Sequence, residues 1–326
     1  MAAKEKYYQS IIKRQEFWKD KVVVVTGGSG FLGSHLVKKL RLLKPKKIFI
    51  PRFKECDLRK YPSCKKVFKN ADITIHLAAN VGGIGYNQKH PSELFFDNMH
   101  IGINCLQAAY KAGVNKFVAI GTICSYPKIT KVPFKEEDLW KGYPEETNAP
   151  YGLAKKMLIT GSKALYDQYG FNSINLLQVN LYGPGDNFNP KSSHVIPALI
   201  RKFIEAKKSN LPSVTLWGTG GATREFLYVE DAAEGIILAT ERYNGVEPVN
   251  LGAGFEISIK KLAEKINILT GYKGKIIWDK TKPDGQPRRM LDISKARKYF
   301  GFKAKTKFDT GLKKTINWFI KNEKSL

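Results

Sequence analysis

The stretch VVVVTGGSGFLGSHLVKKL, residues 22–40, constrains the fold of this chain more than any other. It runs from an unbroken β-branched strand through Gly27, Gly30 and Gly33 into an amphipathic helix. A glycine triplet alone is a weak signal, but between a strand and a helix it reads as a dinucleotide-binding turn. The first glycine permits the tight turn, the second lets backbone approach a pyrophosphate, and the third lets helix pack on strand. Phe31 and Leu32 then stand at the helix N-terminus, where the pyrophosphate would sit.

Four more apolar runs, KKIFIP, ITIHLAA, KFVAIGT and SINLLQVN, alternate with stretches of helical spacing. Near-continuous Val, Ile and Leu suits strands covered on both faces, so the chain reads as an α/β fold with a Rossmann-type, doubly wound parallel sheet. An N-terminal helix candidate precedes it. From about Gly183 the pattern turns to Gly-, Pro- and Asn-rich loops and shorter elements, which implies a smaller C-terminal α/β substrate domain. The division expected is 1–185 and 186–326, with a segment near 225–254 returning to the first domain.

The second strand ends in IFIPRFKECDL, where Arg52 and Lys54 precede any acid. An acid there would bind the ribose 2′-hydroxyl, so cations favour a 2′-phosphate and hence NADP, with NAD as the alternative. Asp57 and Leu58 follow as neighbours of the adenine. In APYGLAKKM, Tyr151 and Lys155 lie four apart on one helix face. An ammonium beside a phenol favours the phenolate and lets tyrosine act as acid or base nearer neutrality. AIGTICSYPK places Thr122 and Cys124 two apart at a strand end, and simple alternation turns both to one pocket.

Charge bears on the partner. The formal net charge is +26, but lysine outnumbers arginine and is spread along the chain. That pattern fits a solvated surface and an anionic substrate better than base-specific nucleic-acid recognition. No apolar run reaches the length that spans a bilayer, and the charged start lacks a secretory pattern. Cys56, Cys64, Cys105 and Cys124 show no metal-ligand spacing, so no metal is expected and a reducing cytoplasm is the expected setting.

These motifs together resemble the extended short-chain dehydrogenase/reductase family that acts on nucleotide sugars. More narrowly, ANVGGI, CSYPK, ETNAPYGLAK, NLYGPGDNFNPKSSHVIPALIRKF, WGTGGATREFLYVEDAA and KPDGQPRRMLD are similar to the GDP-L-fucose synthases within it. The similarity covers the chain from about Lys21 onward. It implies an NADPH-dependent epimerase/reductase of GDP-4-keto-6-deoxy-D-mannose that gives GDP-L-fucose or a related GDP-6-deoxyhexose, working as a homodimer paired through the Tyr151 helix. By the same resemblance Cys124 and His194 are the acid/base pair at C3 and C5 of the sugar. Tyr151, Lys155 and Thr122 serve reduction at C4, and Ala78 and Ala79 of the HLAA strand end border the cofactor. Arg224 and Arg289 match positions that hold the nucleotide diphosphate, and Asn180 and Trp217 are implied sugar or base contacts, Trp217 reading equally well as core. Lys202 stands where arginine is usual, and Ile123 where the family has a serine.

Two other readings compete. One is a nucleotide-sugar epimerase without net reduction, either like the GDP-mannose 3,5-epimerases, whose chemistry Cys124 and a second acid/base would also serve, or a 4-epimerase. The other is a non-catalytic dinucleotide- or nucleic-acid-binding module, against which the intact Tyr151, Lys155, Cys124 and His194 set stands.

Overall fold

The structure is a computed structural model, and it describes residues 12–282 and 284–325. The N-terminal helix expectation falls partly outside these residues; within them, 12–18 are helical. Arg14 ion-pairs with Glu234 and Glu241, and the Trp18 indole donates to Glu241 at 2.8 Å, which docks this segment on a later helix.

The elements follow in order as β1 (Val22–Thr26), α1 (Phe31–Leu42), β2 (Lys47–Phe49), α2 (Tyr61–Phe68), β3 (Ile73–His76), α3 (Ile84–Lys89), α4 (Pro91–Lys111) and β4 (Lys116–Thr122). Then come α5 (Ala149–Tyr169), β5 (Ser173–Gln178), β6 (Asn180–Tyr182), α6 (Val195–Lys208), β7 (Ser213–Trp217), β8 (Thr223–Arg224), β9 (Phe226–Tyr228) and α7 (Val229–Arg242). The chain continues through β10 (Val249–Leu251), β11 (Ile257–Ser258), α8 (Ile259–Thr270), β12 (Lys275–Asp279), β13 (Arg288–Arg289), α9 (Ser294–Phe300) and α10 (Phe308–Asn322).

Six strands form the main sheet in the order β10-β5-β4-β3-β1-β2, every neighbouring pair parallel. All five sequence-read strands are in it. Helices cover both faces, one core gathering Val23, Val25 and Ile237 and the other Val24, Phe117 and Leu158. The order reverses between β1 and β3, and in open parallel sheets ligands bind at the strand ends beside such a switch point. There Thr26 Oγ1 lies 2.9 Å from His76 Nδ1 and accepts the Ala78 N–H at 3.2 Å, which fixes the HLAA end against β1.

A third apolar cluster around Ile200, Phe203 and Ile266 holds α6, α8 and α10 over three small sheets, β11-β8-β13, β12-β7 and β6-β9. Chain segments after β5 thus serve both bodies: β10 pairs with β5 in the main sheet, while β7 and β12 stay outside it. Among the described residues no helix is long and apolar enough to cross a membrane.

Candidate active site

Between the strand ends and the smaller sheets lies a cleft of about 1510 Å³. Its floor begins at the glycine turn. Gly27 has φ +68°, and a Cβ on it would stand 2.8 Å from Ala78 N. At Gly33 a Cβ would meet Gly27 O at 2.1 Å, so helix α1 lies on the turn only because Gly33 lacks a side chain. Gly30 is the N-cap of α1, with no side-chain cap and no acid in the first turn. The helix therefore offers unclaimed N–H groups and its positive dipole end to an anion. This cradle fits the diphosphate of a dinucleotide, and Phe31, Leu32, Ala78 and Ala79 line it.

Asp57 and Leu58 also line the cleft, but Arg52 does not. Strand β2 stops at Phe49, and the chain then turns so that the Arg52 carbonyl accepts the N–H groups of Glu55 and Cys56 while its side chain stays exposed. The cation that lines the cleft beside Asp57 is Arg59, which ion-pairs with Asp57 at 2.9 Å and Asp97 at 3.2 Å and lies over Phe53.

Thr122, Cys124, Tyr151, Lys155 and His194 all line the same cleft. The expected alternation of Thr122 and Cys124 is not how they meet. Strand β4 ends at Thr122, and residues 123–125 form a 3₁₀ turn because Thr122 Oγ1 accepts the Cys124 N–H at 3.1 Å. A short side-chain acceptor that bonds forward in this way competes with the ladder and ends the strand. Ile123 turns into the core at 2 % exposure, so its difference from the family serine changes packing first.

Helix α5 closes on this turn at Gly152, where a Cβ would stand 2.3 Å from the Cys124 carbonyl oxygen, and Ser125 Oγ donates to Gly152 O at 2.9 Å. Tyr151 and Lys155 are held against Cys124 by that contact. The expectation that Lys155 lowers the tyrosine is reversed. Burial in the shared wall disfavours both charged forms, pushing the Tyr151 phenol up, with the Cys124 charge adding to it, and pulling Lys155 down to about 8. Tyr151 is thereby kept protonated, the state of a proton donor. His194 opens to the cleft as the N-cap of α6, and the protein around it lowers its pKa.

On the opposite wall, β13 pairs with β8 so that Arg289 stands beside Arg224. Arg224 donates to the carbonyls of Thr223 and Gln286, while Arg289, 8 % exposed, keeps an Nε with no partner. Burial and the neighbouring Arg289 pull Arg224 down to about 10. Two adjacent guanidiniums, neither in an ion pair among the described residues, form an anion site. Asn180, Lys202 and Trp217 line the same wall; Lys202 is exposed and donates to Thr215 O at 2.8 Å. Trp217 is 63 % exposed, which removes its reading as core.

Several lining residues were not read from the sequence, among them Asn87, Asn148, Glu145 and Asp186. Asn148 is the N-cap of α5 and accepts from Asn87 Nδ2 at 3.1 Å while donating to Glu145. Asp186 is buried with one carboxylate oxygen unpartnered and its pKa pushed up to about 7. Gly152 stands in the sequence between Tyr151 and Lys155, and its close approach to the Cys124 turn is set by the fold.

The geometry has counterparts among known proteins. The model of the NAD dependent epimerase/dehydratase family matches residues 23–252. The chain is 40 % identical over 304 residues to the probable GDP-L-fucose synthase 1 of Oryza sativa subsp. japonica, covering 92 % of each. It is 36 % identical over 312 residues to the GDP-L-fucose synthase of Escherichia coli (strain K12), covering 92 % of this chain and 97 % of that one. The crystal structure of a GDP-L-fucose synthetase from Naegleria fowleri bound to NADP superposes with a TM-score of 0.84 at 29 % identity, over 94 % of this chain and 96 % of that one.

Proposed function

This chain belongs to the NAD dependent epimerase/dehydratase family, and from that premise we propose that it is an NADP-dependent epimerase/reductase. Its substrate on this reading is GDP-4-keto-6-deoxy-D-mannose, which it epimerises at C3 and C5 and reduces at C4 to GDP-L-fucose. The observation that carries the reading is one cleft that joins a glycine cradle, the Thr122, Cys124, Tyr151, Lys155 and His194 set, and the Arg224–Arg289 pair. The GDP-L-fucose synthase relatives and the NADP-bound neighbour agree with it.

When bound, NADPH supplies the hydride that C4 receives. Gly27, Gly30 and Gly33 hold its diphosphate, Ala78 and Ala79 flank it, and Asp57 and Leu58 border its adenosine end. The two guanidiniums hold the GDP diphosphate, with Asn180, Lys202 and Trp217 along the sugar and base. A ketone at C4 acidifies the C–H bonds at C3 and C5. Cys124 as thiolate takes one such proton, the bonding pair moves into the C–C–O system, and His194 gives a proton to the opposite face. The carbon is inverted and carries a solvent-derived hydrogen. Thr122 has already accepted the Cys124 N–H, so its hydroxyl hydrogen is free to donate to O4. Tyr151 then gives O4 its proton as C4 is reduced, and Lys155, with a pKa of about 8, restores it.

We draw the domain boundary after residue 185, with 225–254 serving the first domain. A homodimer through α4 and α5 is part of the reading, supported by the exposed Phe96, Ile103 and Met157 on those helices. Four free cysteines agree with a reducing, cytoplasmic setting, and the lysine-rich surface is read as solvated, not as a nucleic-acid site. The test is NADPH absorbance on addition of GDP-4-keto-6-deoxymannose in D2O, with mass analysis of the product. Stoichiometric oxidation with deuterium at C3 and C5 is expected. An isomerised sugar with no net oxidation would establish the pure epimerase instead, and salt-dependent DNA binding without turnover the non-catalytic module.

A further inference from the structure

Two segments distant in the chain, each with a residue lining the cleft, meet there by backbone. The Gly83 N–H donates to Ser192 O at 3.0 Å, and a Cβ on Gly83 would fall 2.4 Å from Ser193 O. Ordinary contact begins at 3.4 Å, so any side chain there pushes Ser193 away by about 1 Å. Gly83 has φ −74°, so the space it leaves matters here, not its backbone freedom.

Ser193 is followed by His194. The loop before it is braced from within: the N–H groups of Ser192 and Ser193 donate to Asn189 O at 3.1 and 2.9 Å, and Asn187 Nδ2 donates to Ser192 Oγ at 2.9 Å. A displacement at Ser193 therefore travels to His194 and is not taken up by the loop. On the other side Gly83 is the N-cap of α3, which is anchored twice. Tyr86 donates its hydroxyl to Asn80 Oδ1 at 3.1 Å, and Asn87, 5 % exposed, donates to Asn148 Oδ1 at 3.1 Å. Asn148 caps the helix that carries Tyr151. A continuous path of short contacts thus runs from the start of the Tyr151 helix, through α3, to the residue before His194.

We propose that Gly83 and Asn87 are positioning residues that hold His194 in register with Cys124 across the substrate. This rests on the epimerase/reductase reading above. Proton delivery by His194 depends on the clasp, because a misplacement of about 1 Å can cost 100-fold in rate. Reduction at C4 uses Tyr151 and Lys155, whose helix keeps a second hold, the contact of Gly152 with the Cys124 turn, when the bond from Asn87 to Asn148 is lost.

The experiment compares wild type, Gly83→Ala and Asn87→Ala with GDP-4-keto-6-deoxymannose and NADPH in D2O. It reads deuterium at C3 and C5 and the ratio of unepimerised to epimerised C4-reduced sugar. In the variants deuterium incorporation falls by about 10- to 100-fold while NADPH oxidation falls by less than about threefold, so unepimerised product accumulates. Deuterium and oxidation falling together, or neither falling, overturns the clasp and leaves the function standing. Wild type that gives neither signal overturns the function, and the clasp with it. Melting temperatures are recorded alongside; if neither variant folds, the contact is a folding element and the proposal fails.

Discussion

Gly33→Ala tests the cofactor cradle. The added carbon would lie 2.1 Å from Gly27 O and 2.6 and 2.8 Å from Cα and C of Gly28. All three are backbone atoms, so no change of rotamer makes room. With ordinary contact beginning at 3.4 Å, helix α1 and the turn must part by about 1.3 Å. That moves N–H groups of the helix start beyond hydrogen-bond reach of a diphosphate seated in the turn. Two lost bonds to a charged acceptor, at about 1.5 kcal/mol each, amount to about 3 kcal/mol. The dissociation constant for NADPH should then rise by about 100-fold. Overpacking also costs about 1–3 kcal/mol of stability, which a melting curve reads separately. The assay is fluorescence titration with NADPH beside calorimetric titration with GDP, whose proposed site on Arg224 and Arg289 lies on the opposite wall. An unchanged affinity for NADPH would refute the cradle, and equal weakening of both ligands would show general damage instead.

The division of labour in the cleft predicts opposite defects. Cys124→Ser should abolish deuterium incorporation at C3 and C5 and retain C4 reduction, and Tyr151→Phe should do the reverse; failure of both at one step would refute the assignment. Burial lowers Lys155 to about 8, so its proton is present below that pH and lost above it. The rate of C4 reduction should accordingly fall on the alkaline side with a midpoint near 8, a limb absent from what activity Lys155→Met retains. The Lys116 ammonium donates to Thr240 O, Tyr243 O and Asn244 Oδ1, so Lys116→Met should cost about 2–4 kcal/mol in chemical denaturation by leaving buried acceptors unmet. Its folded pKa is lowered to about 8 from 10.5, the unfolded chain binds more protons in that interval, and the wild-type advantage should therefore grow as pH rises through it. Ile103→Glu on the exposed face of α4 should convert a dimer to a monomer in light scattering, with an unchanged mass refuting that interface.

What was legible in the sequence follows the range of the forces involved. The strand–turn–helix at Gly27 to Gly33 was legible because the turn's own backbone demands glycine there, and four of the five apolar strands because a buried parallel strand has one composition, the fifth, β2, lying partly exposed at the sheet edge. Thr122 and Cys124 were found, but their geometry was not. The period-two rule holds only while the ladder continues, and the Thr122 hydroxyl ends it by capping Cys124. Arg52 shows the same limit on direction: the residues after β2 turn back on the Arg52 carbonyl, its side chain stays exposed, and Arg59 lines the cleft nearby. The bond between Asn87 and Asn148, and the approach of Gly83 to Ser193, left no periodic trace because each joins segments far apart in the chain. Local rules thus give this site its chemical groups, while contacts remote in sequence set the distances between them. The cleft can therefore keep Tyr151 and Lys155 on one helix and still place His194 on another body, provided that something small enough to pass between them, a glycine at 83, holds the two in register.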